Sequence, residues 1–182
     1  MVEEGYLNTG QLFSYWNDTL SENLMVEAVY CRAAYIGGRD IGLLNDRLSA
    51  LRLARETREA SLSLGRRFLG LAASLTDEIQ SLNNCHLCVA FGYAGRRLGF
   101  SEEDTIAAYL HQAVVASISA AQRLLALGQI QSSAISWDLK AMICEAVARS
   151  AKCGVDNVGA FAQLPELASM RHPFLETRLF IS

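Results

Sequence analysis

Only two prolines occur in this chain, Pro165 and Pro173, so 164 residues run without the strongest helix breaker. Ala and Leu dominate that stretch, and alternating runs of Val, Ile and Thr are absent, so the chain reads as all-α. Leu110, Val114, Ile118, Ala121 and Leu125 recur at spacings of four and three, which places them on one helix face. Ser101 opens that helix, and Asp104 completes a capping-box-like start. Ile135, Leu139, Met142, Ile143, Ala146 and Val147 form a second apolar stripe. Further helices are predicted at 10–19, 21–36, 40–53, 55–75 and 85–98, with the longest loop at 75–84. Glycines at 37, 38, 99, 128 and 154 punctuate helix ends, where a positive φ is needed. Alanine-rich faces (Ala107, Ala108, Ala116, Ala120, Ala121) allow close helix approach. The expectation is a compact single-domain bundle over 1–182, of about seven to nine helices with a carboxyl-terminal tail.

Composition narrows the function classes. A chain of 182 residues suits one domain that buries roughly 70% of its unfolded surface. Charged residues make up 19% and hydrophobic ones 51%, too little charge for a lone particle, which favours an oligomer or a stable complex. Net charge is −3, with only Lys140 and Lys152 as lysines, so the basic excess of a nucleic-acid binder is missing. The most apolar helix, at 106–127, is interrupted by His111, Gln112, Gln122 and Arg123, and does not read as a membrane span. The acidic start, Met1-Val2-Glu3-Glu4-Gly5, lacks the regions of a signal peptide. Five irregularly spaced cysteines fit a reducing compartment, and a cytoplasmic location is expected.

Cys85-His86-Leu87-Cys88 is the most tempting chemical motif. Thiolates three apart near a helix start could bind a soft metal or form a redox pair. A tetrahedral site needs four ligands, however, and no second Cys/His pair follows at zinc-like spacing; before Val89, Ala90 and Phe91 these cysteines read better as small buried hydrophobes. The arginine run Arg47, Arg52, Arg55, Arg58, Arg66 and Arg67 is interleaved with Asp46, Glu56 and Glu59. Arg52–Glu56 and Arg55–Glu59 are i,i+4 neighbours able to pair, so the run reads as a solvated or interface face. His111 reads as a hydrogen-bonded helix residue, and Gly128-Gln129 as a helix break followed by a polar first turn. No phosphate loop, HExxH, GxSxG or GxGxxG occurs, and no carboxylate pair is set for acid–base work, so an enzyme is not expected.

The carboxyl end carries the sharpest functional hint. Pro165 opens a short helix and Pro173 stops it. Beyond it Phe174, Leu175, Leu179 and Phe180 alternate with Arg178, Glu176, Arg171 and His172, apolar groups that need a cover. His172 fits a polar interface anchor better than a metal ligand.

Ser169-Met170-Arg171-His172, then Arg178-Leu179-Phe180 and a final Ser182, resemble the carboxyl end of the UreF family of urease accessory proteins. Asp156-Asn157-Val158-Gly159-Ala160-Phe161 resembles the segment that introduces that tail, Leu127-Gly128-Gln129 the family's mid-chain turn, and Arg55-Glu56-Thr57-Arg58-Glu59 its charged helix. Pro173 and Ile181 depart from the pattern, which usually has Glu and Arg there. The resemblance implies an all-helical, homodimeric chaperone for nickel insertion, joining UreD (also called UreH) and the GTPase UreG on the urease apoprotein. It implies no stably bound cofactor in this chain, nickel being handled by the complex. It assigns partner binding to Arg171, His172, Arg178, Leu179 and Phe180 within a tail at 170–182, with Gly128, Gln129, Arg55 and Arg58 as further contacts. Met1 to Trp16 already resembles a stretch that follows the family's Leu-Pro-Val-Gly segment, so the front is expected to be shortened. The alternative reading is a small helical metal-binding or redox protein using Cys85, His86 and Cys88.

Overall fold

The computed structural model of the chain describes residues 7–125 and 127–159, together with the helical positions Leu167 and Met170. The described residues form α-helices and short connections, with no strand among them. In order these are α1 (Leu12–Thr19), α2 (Met25–Ile36), α3 (Ile41–Leu51), α4 (Arg55–Leu75), α5 (Leu87–Arg97), α6 (Glu102–Leu125), α7 (Gln129–Asp138) and α8 (Lys140–Ser150). A π turn, Leu20–Leu24, joins α1 to α2, and α7 meets α8 at Leu139, whose backbone stays αR. Eight segments therefore make six continuous rods among the described residues, fewer than the seven to nine expected. The sequence alone divides 10–36 in two, whereas the π turn carries the rod through.

Several starts and stops follow from local chemistry. The Asn8 side chain accepts from the Gly10 amide at 3.0 Å and Gln11 Oε1 from the Asn8 amide at 3.2 Å, which seeds a 3-10 turn before α1. Asp40 caps α3 by accepting from the Leu43 amide at 2.9 Å. Ser101 accepts from the Asp104 amide at 3.0 Å and donates to its carboxylate at 2.6 Å, the start expected for α6. Gly37, Gly38 and Gly99 adopt positive φ. Gly128 does not: at φ −68° it is the extended residue that opens α7, not a helix stop.

The core lies where α2 and α5 cross, with α6 and α8 packed around them. Both expected stripes face inward: Leu110, Val114, Ile118 and Ala121 are buried on α6, and Leu139, Ile143, Ala146 and Val147 along α8. Close approach, however, falls to glycine. A Cβ on Gly65 would overlap the Cys85 carbonyl, one on Gly92 the Cys31 carbonyl, and one on Gly95 the Thr105 side chain. Ala108 and Ala116, assigned to a packing face from sequence, are exposed. Phe68 stacks on Phe91 with ring centres 5.2 Å apart, and Phe91 meets Tyr109 edge-on at 5.7 Å, linking α4, α5 and α6. Trp16 Nε1 donates to Ser117 Oγ at 2.9 Å, fixing α1 on α6.

Candidate partner-binding site

The turn at Leu127-Gly128-Gln129 builds a surface groove. Leu127 is buried and anchors the turn, so α7 doubles back along the second half of α6. Gln122 Nε2 on α6 donates to Ser132 Oγ at 2.7 Å and to Gln129 Oε1 at 3.2 Å; Ser132 Oγ in turn donates to the Gly128 carbonyl at 2.7 Å. These bonds tie the start of α7 to α6. The resulting groove, about 300 Å³, is lined by His111, Val115 and Gln122 on one side and by Gln129, Ser133 and Trp137 on the other. Lys140 Nζ sits 3.8 Å from the Trp137 ring centre at its rim. Trp137, which lines the groove, is 69% exposed, a large apolar group beside polar Gln122, Gln129 and Ser133, which suits a docked polypeptide better than a reaction centre. His111, read from sequence as a hydrogen-bonded helix residue, lies on α6 as expected and is exposed in the lining of this groove.

The charged helix divides. Arg55 is exposed on α4 and pairs with Glu59 at 3.7 Å, as its spacing predicts. Arg58 is half-buried and donates to the Arg52 carbonyl at 3.0 Å. Arg52 departs from the solvated-face reading: it lies between α3 and α4 with its guanidinium buried against the Glu27 carboxylate of α2. Glu27 also accepts from the Tyr109 hydroxyl of α6. Sequence reasoning missed this cluster, although a carboxylate inside the apolar run 24–31 was a usable signal. A second buried arginine, Arg32, pairs with Glu102 and donates to Ser150 Oγ at 3.2 Å and to the Val147 carbonyl at 2.9 Å. Near the end of the described chain, Asp156 accepts from Arg39 at 2.7 Å and from Arg47, tying that segment to α3; Arg47 and Arg39 hold its carboxyl below the usual range. Arg171, His172, Arg178, Leu179 and Phe180 lie outside the described residues.

Cys85, His86 and Cys88 are fully buried. Helix α5 begins only at Leu87, so Cys85 stands before it and the two thiols are not one turn apart on a helix. Burial pushes the Cys85 thiol up to about 11 and raises Cys88 well above its ordinary value, the reverse of what a thiolate ligand or redox pair needs. Among the described residues no group of three or more His, Cys, Asp or Glu side chains is placed to hold a metal. His86 is instead a joint: its amide donates to Asn45 Oδ1 at 2.7 Å, and Nε2 lies 2.9 Å from Ser49 Oγ. Nδ1 is buried with no hydrogen-bond partner among the described residues.

Burial, then the nearby Arg52 and Arg58, lower the His86 pKa to about 3. The unfolded chain takes up a proton near pH 6.5 that the folded chain refuses until about pH 3. Stability is therefore whole above pH 6.5 and falls as pH drops below it, by up to about 1.4 kcal/mol per unit. Urea melts between pH 7 and 5 should show this slope, and His86→Gln should flatten it.

Comparison with known proteins adds a consistent finding. The family model described as UreF matches residues 8–140. The chain is 29% identical to the urease accessory protein UreF of Paenarthrobacter aurescens, over all of this chain and 86% of that protein. It is 35% identical to that of Cereibacter sphaeroides, over 79% of this chain and 67% of the relative. Against the protein of the same name from Geobacillus kaustophilus identity is 31%, over 76% and 64%. No described helix is long and apolar enough to cross a membrane.

Proposed function

Because the chain belongs to the UreF family of urease accessory proteins, we propose that it acts as a homodimeric adaptor in urease maturation. In this reading it works in the cytoplasm and performs no chemistry of its own. It assembles with UreD (UreH) and the GTPase UreG on the urease apoprotein, so that nickel reaches the metallocentre, and nickel is cargo of the complex. The observation that carries the reading is a family match running through the fold-defining helices, 8–140. The groove beside Gly128 and Gln129 supports it, since exposed Trp137 over a hydrogen-bonded floor is a feature of a protein contact. Arg178, Leu179 and Phe180 supply the charge and apolar anchors of a second contact, for UreD, with Arg171 and His172 at its edge. Arg55, exposed at the start of α4, is available to a partner as well.

Co-expression with UreD, UreG and the urease subunits, followed by size-exclusion chromatography, tests this. The full chain should travel with UreD, and deletion of residues 171–182 should abolish that co-elution while leaving the helical circular dichroism unchanged. UreD retained by the truncated chain would remove the tail assignment. Full-length chain that captures none of these proteins would remove the adaptor reading.

A further inference from the structure

We propose that the groove between α6 and α7 receives an acidic linear segment of a partner protein, one that carries a carboxylate close to an apolar side chain. One face of each helix builds the groove. Its α7 wall recurs at 129, 133, 136, 137 and 140, and its α6 wall at 111, 115, 118, 119 and 122, the spacing of a single helix face. α7 doubles back along α6, and Gln122 is bonded to Gln129 and Ser132, which fixes one end. His111, earlier on α6, and Lys140, just past α7, therefore share the other end. At about 1.5 Å per residue the wall from Gln129 to Lys140 is about 16 Å long. An extended segment of about five residues covers that length.

Charge selects the occupant. No Asp or Glu is among the residues lining the groove, and its one permanent charge is the Lys140 ammonium. That ammonium rests on the Trp137 ring, 3.8 Å from its centre, which holds it at the rim. Neither Lys140 nor His111 has an acid three or four positions away on its own helix. Among the described residues no ion pair reaches either of them. A carboxylate from outside supplies the missing counter-charge. Beside that end Val115 and Trp137 expose apolar surface over buried Ile118, a seat for one apolar side chain. Serines and glutamines line the rest, hydroxyls and amides that can bond a peptide backbone. Apolar walls and a length of several residues fit a peptide better than a bare anion. The inference rests on the reading of this groove as a protein contact and adds the chemistry of what enters it. It does not depend on which urease protein supplies the segment.

The two tryptophans give the readout. Trp137 lines the groove, whereas Trp16 is buried and donates to Ser117, so it serves as an internal control. The probe is a blocked peptide of about six residues alternating leucine with glutamate, compared with its glutamine and lysine counterparts. In nuclear magnetic resonance titrations of the full chain, the glutamate peptide should shift the Trp137 indole signal with a Kd on the order of 0.1–1 mM and leave Trp16 unmoved. The glutamine peptide should bind several-fold more weakly. Lys140→Glu should weaken the glutamate peptide about tenfold and turn the preference toward the lysine peptide, a reversal that a folding defect cannot produce. No shift at Trp137, equal binding of the glutamate and glutamine peptides, or an unchanged preference in Lys140→Glu would each overturn the proposal. Inorganic phosphate that displaces the peptide at matched ionic strength would also overturn it, leaving a plain anion site. So would a Trp137 signal that moves with chain concentration alone, which gives the groove to a second copy. A chain that captures the urease proteins but not the peptide keeps the adaptor reading and loses this one, and the converse result does the opposite.

Discussion

Gly92→Ala is expected to leave little folded protein, although alanine is the best helix former and the site lies mid-helix. A Cβ there overlaps the Cys31 carbonyl oxygen and comes within 2.9 Å of the Cys31 carbonyl carbon and 3.2 Å of the Ala34 Cβ. The obstacle is backbone of a packed helix, so no side chain can swing aside. α2 and α5 must separate, which loosens the buried Val29, Val89 and Ala90 between them. The cost is about 3 kcal/mol or more, a large share of the ~5–15 kcal/mol that holds a domain together. Gly70→Ala is the control: nothing lies near its Cβ, so the same change on α4 should stabilise by roughly 0.5–1 kcal/mol. Thermal and urea melts of the two variants should move in opposite directions.

Glu27→Ala is the second large effect. Arg52 is buried against this carboxylate, and Tyr109 donates to its other oxygen. Removing the acid takes away the carboxylate against which this guanidinium is buried, beside a second cation, Arg58. About 3–5 kcal/mol of stability should be lost. Replacing both members with apolar residues, Glu27→Leu with Arg52→Met, should recover much of it, because the ion pair specifies an arrangement more than it adds net stability. A double-mutant cycle by urea unfolding measures the coupling. If Glu27→Ala melts within 1 kcal/mol of the parent, the pair is not buried in solution as it is here.

The helical class was legible because proline is confined to the carboxyl end and the apolar spacings on α6 and α8 are regular. Those stripes predicted which faces are buried, since periodicity reports directly on burial. Arg52 was not legible. On a helical wheel it belongs with Arg55 and Glu56, but α3 ends at Leu51, and the turn that follows points Arg52 inward to Glu27. Glycine contacts were hidden for a related reason: a residue without a side chain leaves no pattern, and what Gly65 and Gly92 accommodate is backbone from distant positions. Of the candidate site, Gly128 and Gln129 could be picked out by resemblance, whereas the groove they border needed the pairing of α6 with α7. Trp137 drew no attention in the sequence because a single tryptophan fits core and surface equally well.

The wide turn at Leu20–Leu24 has a bearing on the whole amino-terminal rod. Leu12, Trp16, Leu20, Leu24 and Ala28 are all buried at strict four-residue steps. An ordinary helix overshoots by about 40° at each such step, so Leu12 and Ala28 would end up on nearly opposite sides. Slack wound into the middle of the rod takes back part of that rotation. One length of chain thereby keeps the same side toward its neighbours over about four and a half turns of sequence pattern, serving α6 through Trp16 at one end and α5 through Cys31 and Ala34 beyond the other. The phase correction is thus what lets a single uninterrupted strut span the molecule where two shorter helices and a loop would otherwise be required.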